Sequence, residues 1–171
     1  MKGAKLLAKD IHMMSIEEVE FLQEVCESVL TPDAHIINIG AGVGTSLLAV
    51  QEVLPDATVF SVDIKQTPVA FSNVDKYGGD SSKFIRIIQN SAQVLRLFPF
   101  PVDMIFVDGA HDSQSVEKDA LHGKPLVRDL GVMFFHDYDH PNLPELSGIV
   151  DAIMDDWYCL GKERYLIAFQ Q

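Results

Sequence analysis

Apolar and polar positions along the chain alternate between a helical and a strand period. Val19, Leu22, Val25, Cys26, Val29 and Leu30 recur at helical spacing behind Ser15 and Glu18, whose separation is that of a capping box. Thr31-Pro32-Asp33 stops this predicted docking helix, and the apolar run His35–Ile39 reads as a first strand. The pattern then predicts a helix over about Thr45–Leu54, a strand at Thr58–Val62, a helix within Thr67–Tyr77 and a strand at Phe84–Gln89. A short helix near Ala92–Leu97, a strand at Met104–Val107, a helix near Ser115–His122 and a strand at Val132–Phe135 follow. Ile149, Val150, Ile153, Met154 and Trp157 fall on one side of a helix read over Gly148–Trp157, which would cover a sheet face. Tyr158–Phe169 ends the pattern with two apolar stretches around a turn that carries Gly161, as in a hairpin.

This order predicts an α/β fold: a doubly wound, mostly parallel seven-stranded sheet with helices on both faces and a C-terminal antiparallel hairpin. One domain is expected over residues 1–171, with an N-terminal segment and docking helix in 1–34 and the core in 35–171. Composition leaves the picture intact, since 47% apolar and 22% charged residues are ordinary globular usage. A formal charge of −12 weighs against nucleic-acid phosphates as a partner and favours a small-molecule acceptor. Met1–Asp10 carries no signal-like apolar region and no run approaches a membrane span, so a cytoplasmic protein without membrane contact is expected. Cys26 and Cys159 make no metal-type cluster and are expected to be free, largely buried thiols.

The most informative stretch is Ile36-Ile37-Asn38-Ile39-Gly40-Ala41-Gly42-Val43-Gly44-Thr45, an apolar strand that breaks into alternating glycines. Glycine there permits a tight turn, positive φ and close approach of backbone N–H groups to a ligand, and an anion can sit at the helix N-terminus that follows. A dinucleotide fingerprint needs its third glycine at the sixth position, where this chain has Thr45. Asp63 closes the next strand, about 20 residues downstream, where an acidic side chain commonly reaches a ribose hydroxyl. Together these residues resemble motif I and the acidic ribose-binding residue of the class I methyltransferases that use S-adenosylmethionine. The resemblance implies a Rossmann-like core in which Gly40, Gly42 and Gly44 face the methionine part of the cofactor and Asp63 its ribose. Asn38 stands where an acidic residue is common, and Ser91 with Ala92 falls where the family contacts adenine. Ser91 reads equally well as the N-cap of the helix that follows.

Two later strands end in titratable groups. Asp103-Met104-Ile105-Phe106-Val107-Asp108-Gly109-Ala110-His111 and Val132-Met133-Phe134-Phe135-His136-Asp137-Tyr138 aim carboxylates and imidazoles at the crevice beyond the strand C-termini. Asp-Gly-x-His followed by His-Asp-Tyr is similar to the small-molecule and sugar O-methyltransferases of the family 24 type, related to the catechol group. That resemblance implies His111 as general base, Asp108 beside the cofactor, and Asp108, Asp137 and His136 as ligands of a divalent metal. Such a metal lowers the pKa of an acceptor hydroxyl and an imidazole removes its proton. Imidazole at position 136 suits a transition metal better than Mg²⁺.

Plainer readings stand beside these. Asp108 can serve as a turn residue, His111 as a loop residue, and His136 with Asp137 as a hydrogen-bonded pair that closes the sheet end without metal. Tyr138 and His140 either line an acceptor pocket or pack a loop, and His12, His35 and His122 read as structural. The implied function is O-methylation of a small molecule or sugar; the alternatives are a non-catalytic S-adenosylmethionine-binding module and an NAD(P)-dependent oxidoreductase. Only Met1–Met14 and Asp137–Ser147 remain to select the acceptor, which predicts a shallow site or one completed by a second subunit in a homodimer.

Overall fold

Hydrophobic alternation builds the sheet outward from its centre. Strand β1 (His35–Ile39) sends Ile36 to one face and Ile37 and Ile39 to the other, and β4 (Val102–Val107) divides Met104 and Phe106 from Ile105 and Val107 in the same way. Strands buried on both faces are what a parallel sheet covered by two helical layers requires. In the computed structural model, which describes residues 2–171, β2 (Thr58–Asp63) and β3 (Ile85–Ile88) flank β1 on one side. On the other side lie β4, β5 (Val127–Phe135), β7 (Leu166–Gln170) and β6 (Tyr158–Glu163), giving the order β3-β2-β1-β4-β5-β7-β6. The first five strands are parallel and β7 runs antiparallel between β5 and β6, the doubly wound sheet with a terminal hairpin that the sequence predicts.

Helices α1 (Gly3–Ile11), α2 (Ile16–Val29), α3 (Thr45–Val53) and α4 (Pro68–Lys76) cover one face. The other face is covered by α5 (Ser91–Leu97), α6 (Ser113–Gly123) and α7 (Leu146–Ile153). Register aligns the strand ends: Ile39 pairs with Val62 on one side and Val107 on the other, and Val107 pairs with Phe135. The residues that follow, Gly40, Asp63, Asp108 and His136, therefore emerge along one edge. Because strand order reverses between β1 and β4, the loops there diverge and open a crevice.

The capping box predicted for α2 is present: Glu18 N–H donates to Ser15 Oγ at 3.1 Å, and Ser15 N–H donates to Glu18 Oε2 at 2.7 Å. Helix α1 is not foreseen by the sequence pattern, because only Ala4, Leu7 and Ala8 of it are buried and two of them are small. Three other expectations change. Strand β5 starts at Val127 rather than Val132, its first half masked by exposed Arg128, Asp129 and Leu130, the last with φ +64°. Helix α7 occupies Leu146–Ile153 rather than Gly148–Trp157, because Lys124 Nζ donates to the Ile153 carbonyl and to Asp156 and so closes its last turn. The hairpin turns at Arg164-Tyr165, while Gly161 sits inside β6 at a break in register with β7. Cys26 is buried and Cys159 exposed, so only one thiol follows the expectation. Among the described residues no helix is long and apolar enough to cross a membrane.

Candidate functional site

The glycine turn owes its shape to the neighbouring strand. Gly40 has φ +82°, and a Cβ there would lie 1.9 Å from the Asp108 carbonyl oxygen, so glycine lets the ends of β1 and β4 meet. Gly42, at φ +48°, faces open space within the crevice wall and leaves room for a ligand to approach the backbone. Gly44 is placed differently from its predicted role. As the left-handed N-cap of α3 it abuts α4, where a Cβ would fall 2.5 Å from the Ala70 carbonyl oxygen, and it serves packing instead of the crevice. Asn38 is likewise buried: its amide donates to the Gly40 carbonyl at 2.7 Å and its oxygen accepts from Ser46 Oγ at 2.9 Å. It fixes the turn from behind.

Asp63 accepts from the Ala41 N–H at 3.2 Å and from the Lys65 N–H at 3.3 Å, tying the glycine turn to the end of β2 while its carboxylate borders the crevice. The crevice is a cleft of about 580 Å³ bounded by Gly40, Gly42, Asp63, Ser91, Asp108 and His111. Small-molecule sites span about 300–1,000 Å³. Ser91 borders it but does not cap α5; that role falls to Asn90, whose Oδ1 accepts from the Gln93 N–H at 3.3 Å. Ser91 Oγ instead donates at 2.6 Å to Asp119, a buried carboxyl on α6 whose pKa burial pushes up. Asp119 reaches the cleft from a helix interior, and nothing in its sequence context marks it. Ala92 does not border the cleft.

At the other end of the cleft, donor atoms of Asp108, His111 and Asp137 lie within 4.8 Å of one another. His111 Nδ1 is 2.5 Å from Asp137 Oδ2, which pairs a half-exposed imidazole with a largely covered carboxylate. Asp137 adopts φ +60°, a left-handed backbone that aspartate tolerates better than most residues and that turns its side chain back toward β4. His136 corrects the expected ligand set. Its side chain is 8% exposed, with Nδ1 held 3.3 Å from Asp108 Oδ1 and 3.6 Å from Asp137 Oδ1, while Nε2 faces Glu18 Oε1 at 3.6 Å. Three carboxylates surround one buried ring. Burial alone opposes a charge on His136, but Asp108, Asp137 and Glu18 outweigh it and raise its pKa to about 12. The donor atoms that converge are those of Asp108, His111 and Asp137, so His111 stands in the group where His136 was expected, and His136 lies behind it among the three carboxylates.

Glu18 is the functional residue hidden inside a structural motif. Beyond the capping box it accepts the Tyr165 N–H at 3.0 Å and faces His136, so one buried carboxylate joins α2, the β6–β7 turn and the end of β5. Burial favours its neutral form, but His136 and the N–H groups of Ser15 and Tyr165 hold its pKa below the usual carboxylate value nonetheless.

Comparison with known proteins bears on this arrangement. The model of a family described as a methyltransferase domain matches residues 37–138, which include the glycine turn, Asp63, Asp108, His111, His136 and Asp137. The polyamine aminopropyltransferase of Neisseria meningitidis serogroup A is 32% identical over 96 residues, 56% of this chain but only 36% of that protein's length. The O-methyltransferase TomG of Streptomyces achromogenes, solved in complex with SAM, superposes with a TM-score of 0.71 at 16% identity, covering 98% of this chain and 87% of its own. The MycE methyltransferase of the mycinamycin biosynthetic pathway, solved with Mg and SAH, gives a TM-score of 0.70 at 16% identity over 99% of this chain and 55% of its own. At such identities the two structures establish a shared fold.

Proposed function

Since the chain belongs to the methyltransferase-domain family whose model spans residues 37–138, we propose that it methylates a hydroxyl of a small molecule with S-adenosylmethionine as donor. The observation that carries this reading is the His111–Asp137 pair, 2.5 Å apart at the mouth of the cleft that Asp63 and the glycine turn build. The cleft fits the cofactor on its own features: Gly42 leaves backbone open to the ligand, Asp63 presents a carboxylate, and Ser91 with Asp119 supplies polar groups at the far wall. S-adenosylmethionine supplies an electrophilic methyl group on a sulfonium centre.

The protein's part is proton removal and positioning. Asp137 orients the imidazole by accepting from Nδ1 and leaves Nε2 to take the acceptor's proton, the division of labour of a carboxylate–histidine pair. Asp108 and Asp137 add negative charge that stabilises the imidazolium, while His136 stops these carboxylates from repelling each other. Asp108, His111 and Asp137 also suit a divalent cation in donor type, and a cation there would acidify an acceptor hydroxyl. The same residues thus serve two arrangements, a His111–Asp137 base pair or a metal site. EDTA separates them. Loss of turnover restored by Mg²⁺ or Mn²⁺ assigns the three residues to a metal; chelator-insensitive turnover leaves His111 as a base acting with Asp137 alone.

Calorimetric titration with S-adenosylmethionine and S-adenosylhomocysteine, with NAD and NADP as controls, tests the reading directly. Micromolar binding of the sulfonium pair that Asp63→Ala weakens is expected; preference for NAD would favour an oxidoreductase, and no binding would end the cofactor assignment. Binding with no turnover on any acceptor is the signature of a non-catalytic module. The 32% identity to a polyamine aminopropyltransferase favours one second reading, group transfer to an amine, for which a polyamine is the acceptor to include.

A further inference from the structure

A second cavity of about 420 Å³ lies beside the cleft, walled by the α1–α2 turn, the end of β5 and the β6–β7 turn. Met13 is the one residue common to the linings of cleft and chamber, and it forms the partition between them. The reactive pair bridges that partition, because His111 borders the cleft while Asp137 borders the chamber. A molecule in the chamber therefore reaches Asp137 without displacing anything in the cleft.

The chamber's wall is built against backbone preference. Of five non-glycine residues with left-handed φ among the described residues, His12, Asp137 and Arg164 border it, at +60°, +60° and +49°. His12 ends α1 and Arg164 makes the β6–β7 turn, places where glycine or asparagine would hold the same backbone at lower cost. Such strained positions cluster where function retains them.

Charge gives the wall its sign. The chain has 25 acidic against 13 Lys and Arg residues, yet Lys9 and Arg164 both line this cavity and neither forms an ion pair among the described residues. Lys5, Lys124, Arg128 and Lys162 are held in ion pairs elsewhere, so Lys9 and Arg164 are two of the cations left to meet a ligand. The inner carboxylates, Glu18 and Asp137, face His136 and His111, which leaves Glu17 as the one acidic group on the rim. His140 completes the wall, its ring packed 4.8 Å from that of Tyr165.

We propose that this chamber binds the acceptor, and that the acceptor bears an anionic group, a carboxylate or phosphate, held by Lys9, His12 and Arg164 while its hydroxyl meets the His111–Asp137 pair. The assignment rests on the methyl-transfer reading, so its test keeps the two apart. Isotope-labelled protein saturated with S-adenosylhomocysteine is titrated by NMR with 3,4-dihydroxybenzoate, 3,4-dihydroxybenzamide and 3,4-dihydroxybenzylamine, which share a ring and differ in charge. Spectral response to S-adenosylhomocysteine reports on the cleft, and the three probes report on the chamber.

Expected is saturable movement of the Arg164, Tyr165 and Met13 signals with the benzoate, which binds about tenfold more tightly than the amide. In the Lys9→Gln, Arg164→Gln double variant, whose changes lie on exposed positions, that preference collapses to below about threefold. A preference for the amine, equal affinity for all three probes, or benzoate shifts confined to the cleft would each overturn the proposal. Failure of S-adenosylhomocysteine to move cleft signals would instead bring down the underlying reading.

Discussion

Replacing Glu18 by glutamine isolates the buried charge that ties the N-terminal helices to the site. The carboxylate accepts the Ser15 N–H at 2.7 Å and the Tyr165 N–H at 3.0 Å and lies 3.6 Å from His136 Nε2. Glutamine keeps one oxygen, so one of the two N–H groups loses its acceptor, which costs about 1–3 kcal/mol. Breaking a buried ion pair costs about 3–5 kcal/mol, and the low end applies because no hydrogen bond spans the 3.6 Å gap. A total of about 4–6 kcal/mol lowers Tm by about 8–24 °C in a chain of this size. The pH dependence discriminates. Glu18 has a lowered folded pKa, so its contribution is present above its unfolded value of 4.5 and is lost as pH falls through the folded value. His136 has a raised one, so its contribution is complete below 6.5 and fades as pH climbs toward about 12. The difference between wild type and variant is therefore largest from just above pH 4.5 up to the lowered His136 pKa of the variant, and shrinks on either side. Urea denaturation from pH 3 to pH 10 measures it. A difference of the same size at pH 3 and pH 6 would show that only a hydrogen bond had been lost, and one below about 0.5 kcal/mol throughout would refute the buried pair.

Gly40→Ala should cost more than about 2 kcal/mol, since a Cβ meets the Asp108 carbonyl oxygen at 1.9 Å; Gly42→Ala should cost about 1 kcal/mol and act mainly on S-adenosylhomocysteine affinity. Denaturation and calorimetry on both variants check this contrast, and equal stability losses would contradict it. His111→Gln should lower kcat by about 10²–10⁴-fold, read from methyl transfer to any acceptor found, and retention of kcat would remove it as base. Cys159 should react with a thiol reagent in the native protein, whereas Cys26, buried with its pKa pushed up to about 12, should react only on unfolding. Mass spectrometry of the labelled chain distinguishes the two; early labelling of Cys26 would mean that α2 opens readily.

Most of the sheet is legible in the sequence because its strands are short apolar runs separated by helical periods, and parallel strands buried on both faces carry that signature. Helix α1 escapes because small residues make two of its three buried contacts, and the first half of β5 escapes because Arg128 and Asp129 face outward. The site is legible in part for a related reason. Residues just past a strand end, such as Gly40, Asp63, Asp108 and Asp137, inherit their place from the strand. Side chains that reach the site from elsewhere carry no such mark: Asp119 comes from the middle of α6, and Lys9 and Arg164 come from opposite ends of the chain.

His136 shows why motif position alone misassigns a role. Its neighbours along the chain suggest a ligand beside Asp137, but the decisive partner is Glu18, which α2 carries in from 118 positions earlier in sequence. With Glu18 on one side and Asp108 and Asp137 on the other, three carboxylates favour the charged form of the ring, and the donor atoms that converge beside it are those of Asp108, His111 and Asp137. The resulting cation offsets part of the negative charge that crowds the cleft end and favours the ionised form of Asp137. That leaves Asp137 ionised to orient His111, at the point where cleft and chamber meet. The helix cap of α2 and the His111–Asp137 pair thus belong to one charge network that runs through His136.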